Sequence, residues 1–491
     1  MQLISLYIKK YKNLKEFKWE ITSEFASPAL MLMGKNASGK TNLLEGILKI
    51  FDFLYNSEVR RADFSFEIEY IIEVVKIKIV GIENTAIDGV YIDDKFISIS
   101  DIIRVNDTFR PRSKDYSLEN ILPENVVLYY SGFSQRFNLI TSNVKQAYAR
   151  KFRKQESISL PPILILEPIH YKFILLALFS YENENETVYK GFLKKYFKIE
   201  ALHSFEIHIQ KHTGWIVDKS YKNFFSTEGI VRNFLSQLSI LQEKSPNNFE
   251  PVKPLPIKIS SNTNLDLINR VEYQFVGNDP LIELRNIFGY ESDVFKILNI
   301  LFITKNLNNV IINVKKEGVK EPISFNSLSE GEQQFLAIQG MKYLLQGKDT
   351  LFLLDEPDTF LNPSWQWNLI PDIENDYKLG DIQRDQFILT SHSPVLLSTV
   401  SKRAYFMENG NINNLPNVYG RSVNDVLNEQ GIESQNKEII DEIDNLFDII
   451  ENREIEKAKQ IISELELNYG KNHPDIIKAN YLIKLYSNEI H

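Results

Sequence analysis

The chain has no cysteine at all among its 491 residues. That excludes disulfide scaffolds, thiolate zinc sites and cysteine nucleophiles, and it fits a reducing compartment. No apolar run approaches the ~20 residues that span a bilayer. The longest candidates, such as Phe173-Ile174-Leu175-Leu176-Ala177-Leu178-Phe179, are short enough to be buried helix. The opening Met1-Gln2-Leu3-Ile4-Ser5-Leu6-Tyr7-Ile8 alternates like a strand and lacks the apolar core and cleavage site of a secretion signal. The expectation is a cytoplasmic protein with no membrane contact. Basic excess is also missing. The net charge is −9, so a uniform nucleic-acid-binding coat is excluded, whereas a local basic patch is not. Much of that charge lies in the tail, where Glu433 to His491 holds 13 acids against 7 bases.

What is present is a soluble composition, 43% hydrophobic and 25% charged, in a chain too long for one ordinary core. The apolar strand Leu30-Met31-Leu32-Met33 runs into Gly34-Lys35-Asn36-Ala37-Ser38-Gly39-Lys40-Thr41, and a helical stretch opens at Asn42. This is the G-x-x-x-x-G-K-[ST] phosphate loop in its required context, strand before and helix after. Gly34 and Gly39 let the backbone curl so that several N–H groups face a phosphate, and the helix N-terminus adds its positive dipole end. Lys40 is expected to neutralise the β- and γ-phosphates and Thr41 to ligate Mg²⁺.

Far downstream, Thr350-Leu351-Phe352-Leu353-Leu354 ends in Asp355-Glu356. A buried strand that delivers two carboxylates at its tip suits a Mg²⁺ partner, Asp355, followed by a base for the attacking water, Glu356. Ahead of it, Leu328-Ser329-Glu330-Gly331-Glu332 precedes an apolar helix, a pattern that also makes an ordinary N-cap. After it, Phe387-Ile388-Leu389-Thr390-Ser391-His392 places a histidine at the tip of the next strand. Between phosphate loop and signature, the strand Val126-Val127-Leu128-Tyr129-Tyr130 is followed by a loop that ends in Gln135. Gln135 is assigned by context as a second metal and water contact, and a plain polar loop reads as well.

These motifs, in this order, resemble the ATP-binding-cassette ATPases of the SMC, Rad50, RecF and OLD-like branch. The resemblance implies an α/β P-loop head with a mixed sheet and a helical lobe, ATP and Mg²⁺ as cofactors, and Lys12 and Asn13 near the nucleotide. It also implies that Ser329 and its neighbours Leu328, Glu330, Gly331 and Glu332 act in trans, with two ATPs between the subunits of a dimer. Ser391-His392-Ser393-Pro394 differs from the Thr-His-Asp usual in transporter cassettes. No heptads fill the 286 positions between Thr41 and Ser327, which excludes the long arms of SMC and Rad50. About 100 residues follow His392, too few for a cassette end plus a Toprim nuclease. Asp441-Glu442-Ile443-Asp444 reads as an exposed helix face, so no nuclease activity of its own is expected.

A narrower resemblance rests on "SLSEGEQQFLAIQG", "FLLDEPDTFLNPSWQWNLI" and "LPENVVLYYSGFSQRF", which look like the ATPase subunit of Septu-type antiphage systems and of related retrons. Phe360 departs from that pattern, which often has histidine there. The resemblance implies a separate HNH nuclease as partner, with a retron reverse transcriptase and its noncoding RNA as further candidates. The alternative is a RecF-like repair ATPase that binds DNA.

The chain reads as four stretches: a first lobe over 1–190, a helical insertion over 191–320, a second lobe and core over 321–430, and a helical module over 431–491. In the module, Glu438 to Ile450, Ile455 to Leu467 and Asp475 to Ser487 carry apolar residues at helical spacing, as a cap or a docking element. The segments 106–117 and 243–261 read as irregular loops. Lys145, Arg150, Lys151, Arg153 and Lys154 form a basic stripe, interleaved with Tyr148 and Phe152, that suits DNA or RNA phosphates or a solvated helix face.

Overall fold

A computed structural model describes the chain except residues 22–27, 57–60, 98–101, 106–107, 112–120, 133–135, 154–156, 182–185, 211–226, 245–269, 377–384, 401–402, 416–418, 421–436, 472 and 489–491. Gln135 and most of the two segments read as loops lie outside the described residues. The chain divides into two compact units, Met1–Tyr419 and Gly420–His491.

The first unit is built on a seven-stranded sheet in the order Ile163–Ile165, Val126–Tyr130, Leu351–Asp355, Gln386–Thr390, Ala29–Gly34, Ala404–Glu408 and Asn411–Leu415. The first six strands are parallel and the last is antiparallel. The inner strands are continuous apolar runs, as suits a parallel sheet covered on both faces. Accordingly Ala29–Gly34, Leu351–Asp355 and Gln386–Thr390 are buried along their whole length. Parallel direction puts the C-terminal tips of Ala29–Gly34, Leu351–Asp355 and Gln386–Thr390 at one edge, where open sheets of this kind bind ligands.

The helix Lys40–Tyr55 follows the first of these tips. Leu43, Leu44, Ile47, Leu48, Phe51 and Leu54 recur at helical spacing and are all buried, which fixes its face against the sheet. A six-stranded antiparallel sheet from residues 2–97 packs its inner side into the same core through Leu6, Ile8, Phe17, Trp19, Ile68 and Ile79.

The region 191–320 holds strands as well as helices. Ile199–Gln210 pairs antiparallel with Arg270–Val276 on one side and Leu307–Lys316 on the other. This second sheet, completed by Ile323–Ser324, stands beside the helices Gly229–Lys244 and Glu291–Ile303. The helix Pro168–Phe179 packs on Glu330–Leu345. Their approach is close: a Cβ on Gly340 would stand 2.3 Å from the Ile174 γ-methyl.

Among its described residues, the second unit contains three helices, Lys437–Glu451, Ile455–Tyr469 and Pro474–Asn488. They enclose a small core of their own, in which Leu446, Ile450, Ala458, Ile462, Ile476 and Ala479 are buried. Asp441, Glu442 and Asp444 lie exposed on the first of these helices, the face expected from the sequence. Among the described residues, no helix is long and apolar enough to cross a membrane.

Candidate nucleotide site

Three strand tips converge. The first is the loop between Gly34 and Lys40. Glycine is required at two points: Gly39 has φ 110°, and a Cβ there would meet the Asn13 amide at 2.6 Å. A Cβ on Gly34 would meet the Met407 carbonyl oxygen at 2.3 Å. Lys35, Asn36 and Ala37 are exposed along the loop, and Ala37 has φ 64°. Lys35 makes a loose ion pair with Glu408 at 3.7 Å. Lys40 folds back across the loop, donating to the Gly34 carbonyl at 2.8 Å and standing 2.9 Å from His392 Nε2. Burial holds the Lys40 ammonium below its ordinary range, while Glu356 and Asp355 oppose that shift.

The second tip carries Asp355 and Glu356. Asp355 is buried and accepts hydrogen bonds from Thr41 Oγ1 at 2.9 Å and from Thr390 Oγ1. Its carboxyl is raised by burial, against the pull of those two hydroxyls and of Lys40. Glu356 adopts φ 54°, a conformation that is strained for a residue with a Cβ and that clusters at functional sites. The turn is held by the Glu356 N–H, which donates to the Thr390 carbonyl at 3.1 Å. Burial, together with neighbouring Asp358 and Asp355, pushes the Glu356 carboxyl up to about 7 against the opposing pull of Lys40.

The third tip carries Ser391 and His392. Ser391 donates to Asp358 Oδ2 at 2.8 Å, and His392 Nε2 lies 3.3 Å from Glu356 Oε1. Burial and the Lys40 charge hold the imidazole below its ordinary range. A neutral ring can accept the Lys40 proton on Nε2, which places the ring proton on Nδ1.

Behind the loop lies a cluster the sequence reading missed. Glu45, with a side chain only 5% exposed, receives Lys12 at 2.6 Å, Arg136 and the Tyr11 hydroxyl. Burial alone would raise its carboxyl, but Lys12, Tyr11 and Arg136 outweigh that and hold it below the usual range. Asn42 donates to Asn13 at 2.5 Å and receives Arg136, and Asn13 donates to the Ser38 carbonyl at 3.1 Å. Thus Lys12 and Asn13 brace the helix start and the loop from behind. A sequence signal existed, because Glu45 interrupts the apolar run Leu43-Leu44-Glu45-Gly46-Ile47-Leu48 and a buried acid needs a cation.

The signature opens the helix Glu330–Leu345, whose Gln334 donates to the Glu356 carbonyl at 3.5 Å and accepts from the Phe360 N–H at 3.2 Å. Ser329 caps the helix Glu330–Leu345 with a full capping box: its Oγ accepts from the Glu332 N–H at 3.2 Å, and its own N–H donates to Glu332 at 2.8 Å. Glu332 also pairs with Lys316 at 2.6 Å. Leu328 is buried, Ser329 and Glu330 are exposed, and a Cβ on Gly331 would meet the Phe360 carbonyl oxygen at 2.4 Å. Among the described residues, no hydrogen bond or ion pair joins Ser329, Glu330 or Glu332 to residues 34–42. Ser329, Gly331 and Glu332 instead line an open hollow of about 410 Å³ with Phe360, Asn362 and Trp365.

The basic stripe is only partly described. Arg150 and Lys151 are exposed, Phe152 is buried, and the Lys145 and Lys154 side chains lie outside the described residues. Arg150 and Arg153 line a separate hollow of about 510 Å³ with Phe302 and Lys305.

The donor set at the sheet edge fits a magnesium nucleotide. Ser38 Oγ is buried in the loop with no hydrogen-bond partner among the described residues, a polar atom left for a ligand to satisfy. The loop keeps clear the space a Cβ at Gly39 would fill, and the hydroxyl of Thr41 beside Asp355 supplies hard oxygens.

Comparison with known proteins agrees with this chemistry. Residues 241–398 match the family model described as "AAA domain, putative AbiEii toxin, Type IV TA system", a stretch that takes in the signature, Asp355, Glu356 and His392. The chain is 23% identical over 420 residues to "Retron Vc95 probable ATPase" of Vibrio cholerae serotype O1 biovar El Tor, covering 81% of this chain and 71% of that protein. It is 41% identical over 61 residues to "Retron Ec83 probable ATPase" of Escherichia coli, 12% of this chain and 10% of that one. Among solved structures, the SMC head domain from Thermotoga maritima is similar at 12% identity and a TM-score of 0.33, covering 85% of this chain and 99% of that one. RecF of the RecFOR pathway is similar at 15% identity and 0.32, covering 84% and 98%. Scores this low leave the fold to be read from the sheet order itself. That order, with the phosphate loop at its tip, is an α/β P-loop fold, and the family model and the retron relatives support an ATPase.

Proposed function

We propose that this chain binds and hydrolyses ATP at the edge formed by Gly34–Thr41, Asp355, Glu356 and His392, and that it does so as a dimer. The observation that carries the reading is the meeting of three strand tips at one edge, with Lys40 and Glu356 each beside His392 Nε2 and with Thr41 bonded to Asp355. Mg²⁺, held by Thr41 and Asp355, would supply positive charge to the phosphates. Lys40 exchanges its present partners, the Gly34 carbonyl and His392, for phosphate oxygens. Freed of Lys40, His392 can turn to the reacting end, and Glu356, once deprotonated, takes the proton of the attacking water. Ser329, exposed and joined to its own phosphate loop by no hydrogen bond among the described residues, serves the site of a second copy at the N-terminus of the helix it caps.

At the biological level, the likeness to retron ATPases supports a role in antiphage defence, with ATP occupancy controlling a separate effector, an HNH nuclease in the Septu-like reading. Two states of different nucleotide affinity are what such control needs. Purification with the proteins of its own operon tests this part: a stoichiometric nuclease supports it, and an ATPase recovered alone argues against it. The second reading, a RecF-like DNA-binding ATPase, draws on the hollow lined by Arg150, Arg153 and Lys305. It requires DNA affinity without a partner that falls steeply with salt.

A further inference from the structure

We propose that Glu206, His208 and Glu272 form a binding site for a first-row divalent cation, of the zinc or manganese type, on the second sheet. The proposal is independent of the ATPase reading. Glu206 and His208 stand two residues apart on the strand Ile199–Gln210 and so share one face. Glu272 is the register partner of His208 on Arg270–Val276, which puts the third donor on the same face of the neighbouring strand. One strand thus gives two ligands and its neighbour the third.

The distances suit chelation. His208 Nε2 lies 2.8 Å from Glu206 Oε2 and its Nδ1 lies 3.9 Å from Glu272 Oε1; one ring nitrogen serves an ion, and with one donor atom taken from each residue the three fall within 4.8 Å of one another. Bonds of ~2.0–2.2 Å from nitrogen and carboxylate oxygen to one ion need donors roughly 3–3.6 Å apart. The widest gap therefore has to close by about 1.2–1.8 Å, a movement within the reach of a glutamate side chain. The imidazole is only 4% exposed, whereas the two carboxylates are about a quarter exposed. The ring is held in place while the carboxylates keep an entry path open.

The scaffold is rigid. Phe205, Ile207 and Phe275 occupy the opposite face of these strands and are buried, and the rings of Phe205 and Phe275 stack at 5.0 Å. On its other side, His208 pairs with Asn309 of Leu307–Lys316. One nitrogen with two carboxylates suits zinc or manganese, whereas calcium and magnesium prefer oxygen alone. Leu307–Lys316 ends at Lys316, which grips Glu332 of the signature helix. A bound ion would therefore clamp the sheet that steadies the signature.

The test uses the full chain, stripped with a chelator and titrated with Zn²⁺ in excess Mg²⁺, read by calorimetry and by metal content after gel filtration. Wild type and His392→Asn are expected to bind the same number of zinc ions. His208→Asn and Glu272→Gln are each expected to lose one equivalent, or about tenfold or more in its affinity. Zinc should raise the melting temperature of wild type more than that of Glu272→Gln, the variant that best preserves the shape of the strand pair. Absence of saturable zinc binding in wild type, or full retention in both variants, overturns the proposal.

Discussion

The ammonium of Lys40 stands 2.9 Å from Nε2 of His392, and the same nitrogen lies 3.3 Å from a carboxylate oxygen of Glu356. The phosphate-loop lysine, Glu356 and the histidine of the third strand tip thus share one contact point. Nε2 cannot accept from Lys40 and donate to Glu356 at once. Raising the Glu356 carboxyl and lowering the His392 imidazole both keep charge low around that point.

Removing the lysine removes the main counter-charge for phosphate. Lys40→Ala should weaken ATP binding by about tenfold to a hundredfold, the worth of a charge-assisted hydrogen bond. Equilibrium binding of a fluorescent ATP analogue checks this. His392→Ala leaves the loop intact, so binding should persist while turnover falls by about a hundredfold.

Glu356 sets the pH response. Its carboxyl is pushed up to about 7, mainly by burial. Below that value it carries a proton and cannot accept another, so kcat/KM, which reports the free enzyme, should rise between about pH 6 and 8. Glu356→Gln should bind ATP, fail to hydrolyse it and accumulate as a dimer in size-exclusion chromatography. Turnover equal to wild type in Glu356→Gln would falsify the assignment of the base.

The Glu45 cluster makes a stability prediction. The Glu45 carboxyl is held below its ordinary range, so its contribution is present above the unfolded pKa and is lost as pH falls through the folded value. Glu45→Gln removes the partner of Lys12 and Arg136 and should cost about 2 kcal/mol at pH 7. Thermal melts should show the wild-type advantage shrinking on acidification below about pH 4.5, the ordinary range of such a carboxyl.

Close helix packing makes another. Gly340→Leu pushes a side chain into Ile174, and overpacking of this kind costs about 1–3 kcal/mol. Urea unfolding should register the loss.

The site was legible where chemistry is local in sequence. Gly34 to Thr41, Asp355 and His392 each sit at the end of an apolar run, and their tips meet because the strands are parallel neighbours. Even the alternative reading of Ser329 as an N-cap appears in the structure, as a capping box. The Glu45–Arg136 contact was not legible, since its partners stand 91 residues apart. The second sheet escaped for the same reason: Ile199–Gln210 pairs with Leu307–Lys316 roughly a hundred residues on, and single-strand patterning does not reveal such pairings. Asp358, buried and tied to Ser391, was passed over because nothing in a short acidic loop marks which carboxylate turns inward.

The central claim is a composite site, with the phosphate loop of one copy served by the signature of another. It is tested most directly by mixing two inactive variants, Lys40→Ala and Ser329→Arg, and measuring ATP hydrolysis. In a mixed dimer one site carries both defects and the other neither, so the mixture should regain activity that neither variant shows alone. A mixture as inactive as its components, with mixed dimers demonstrated by native mass measurement, would contradict the account.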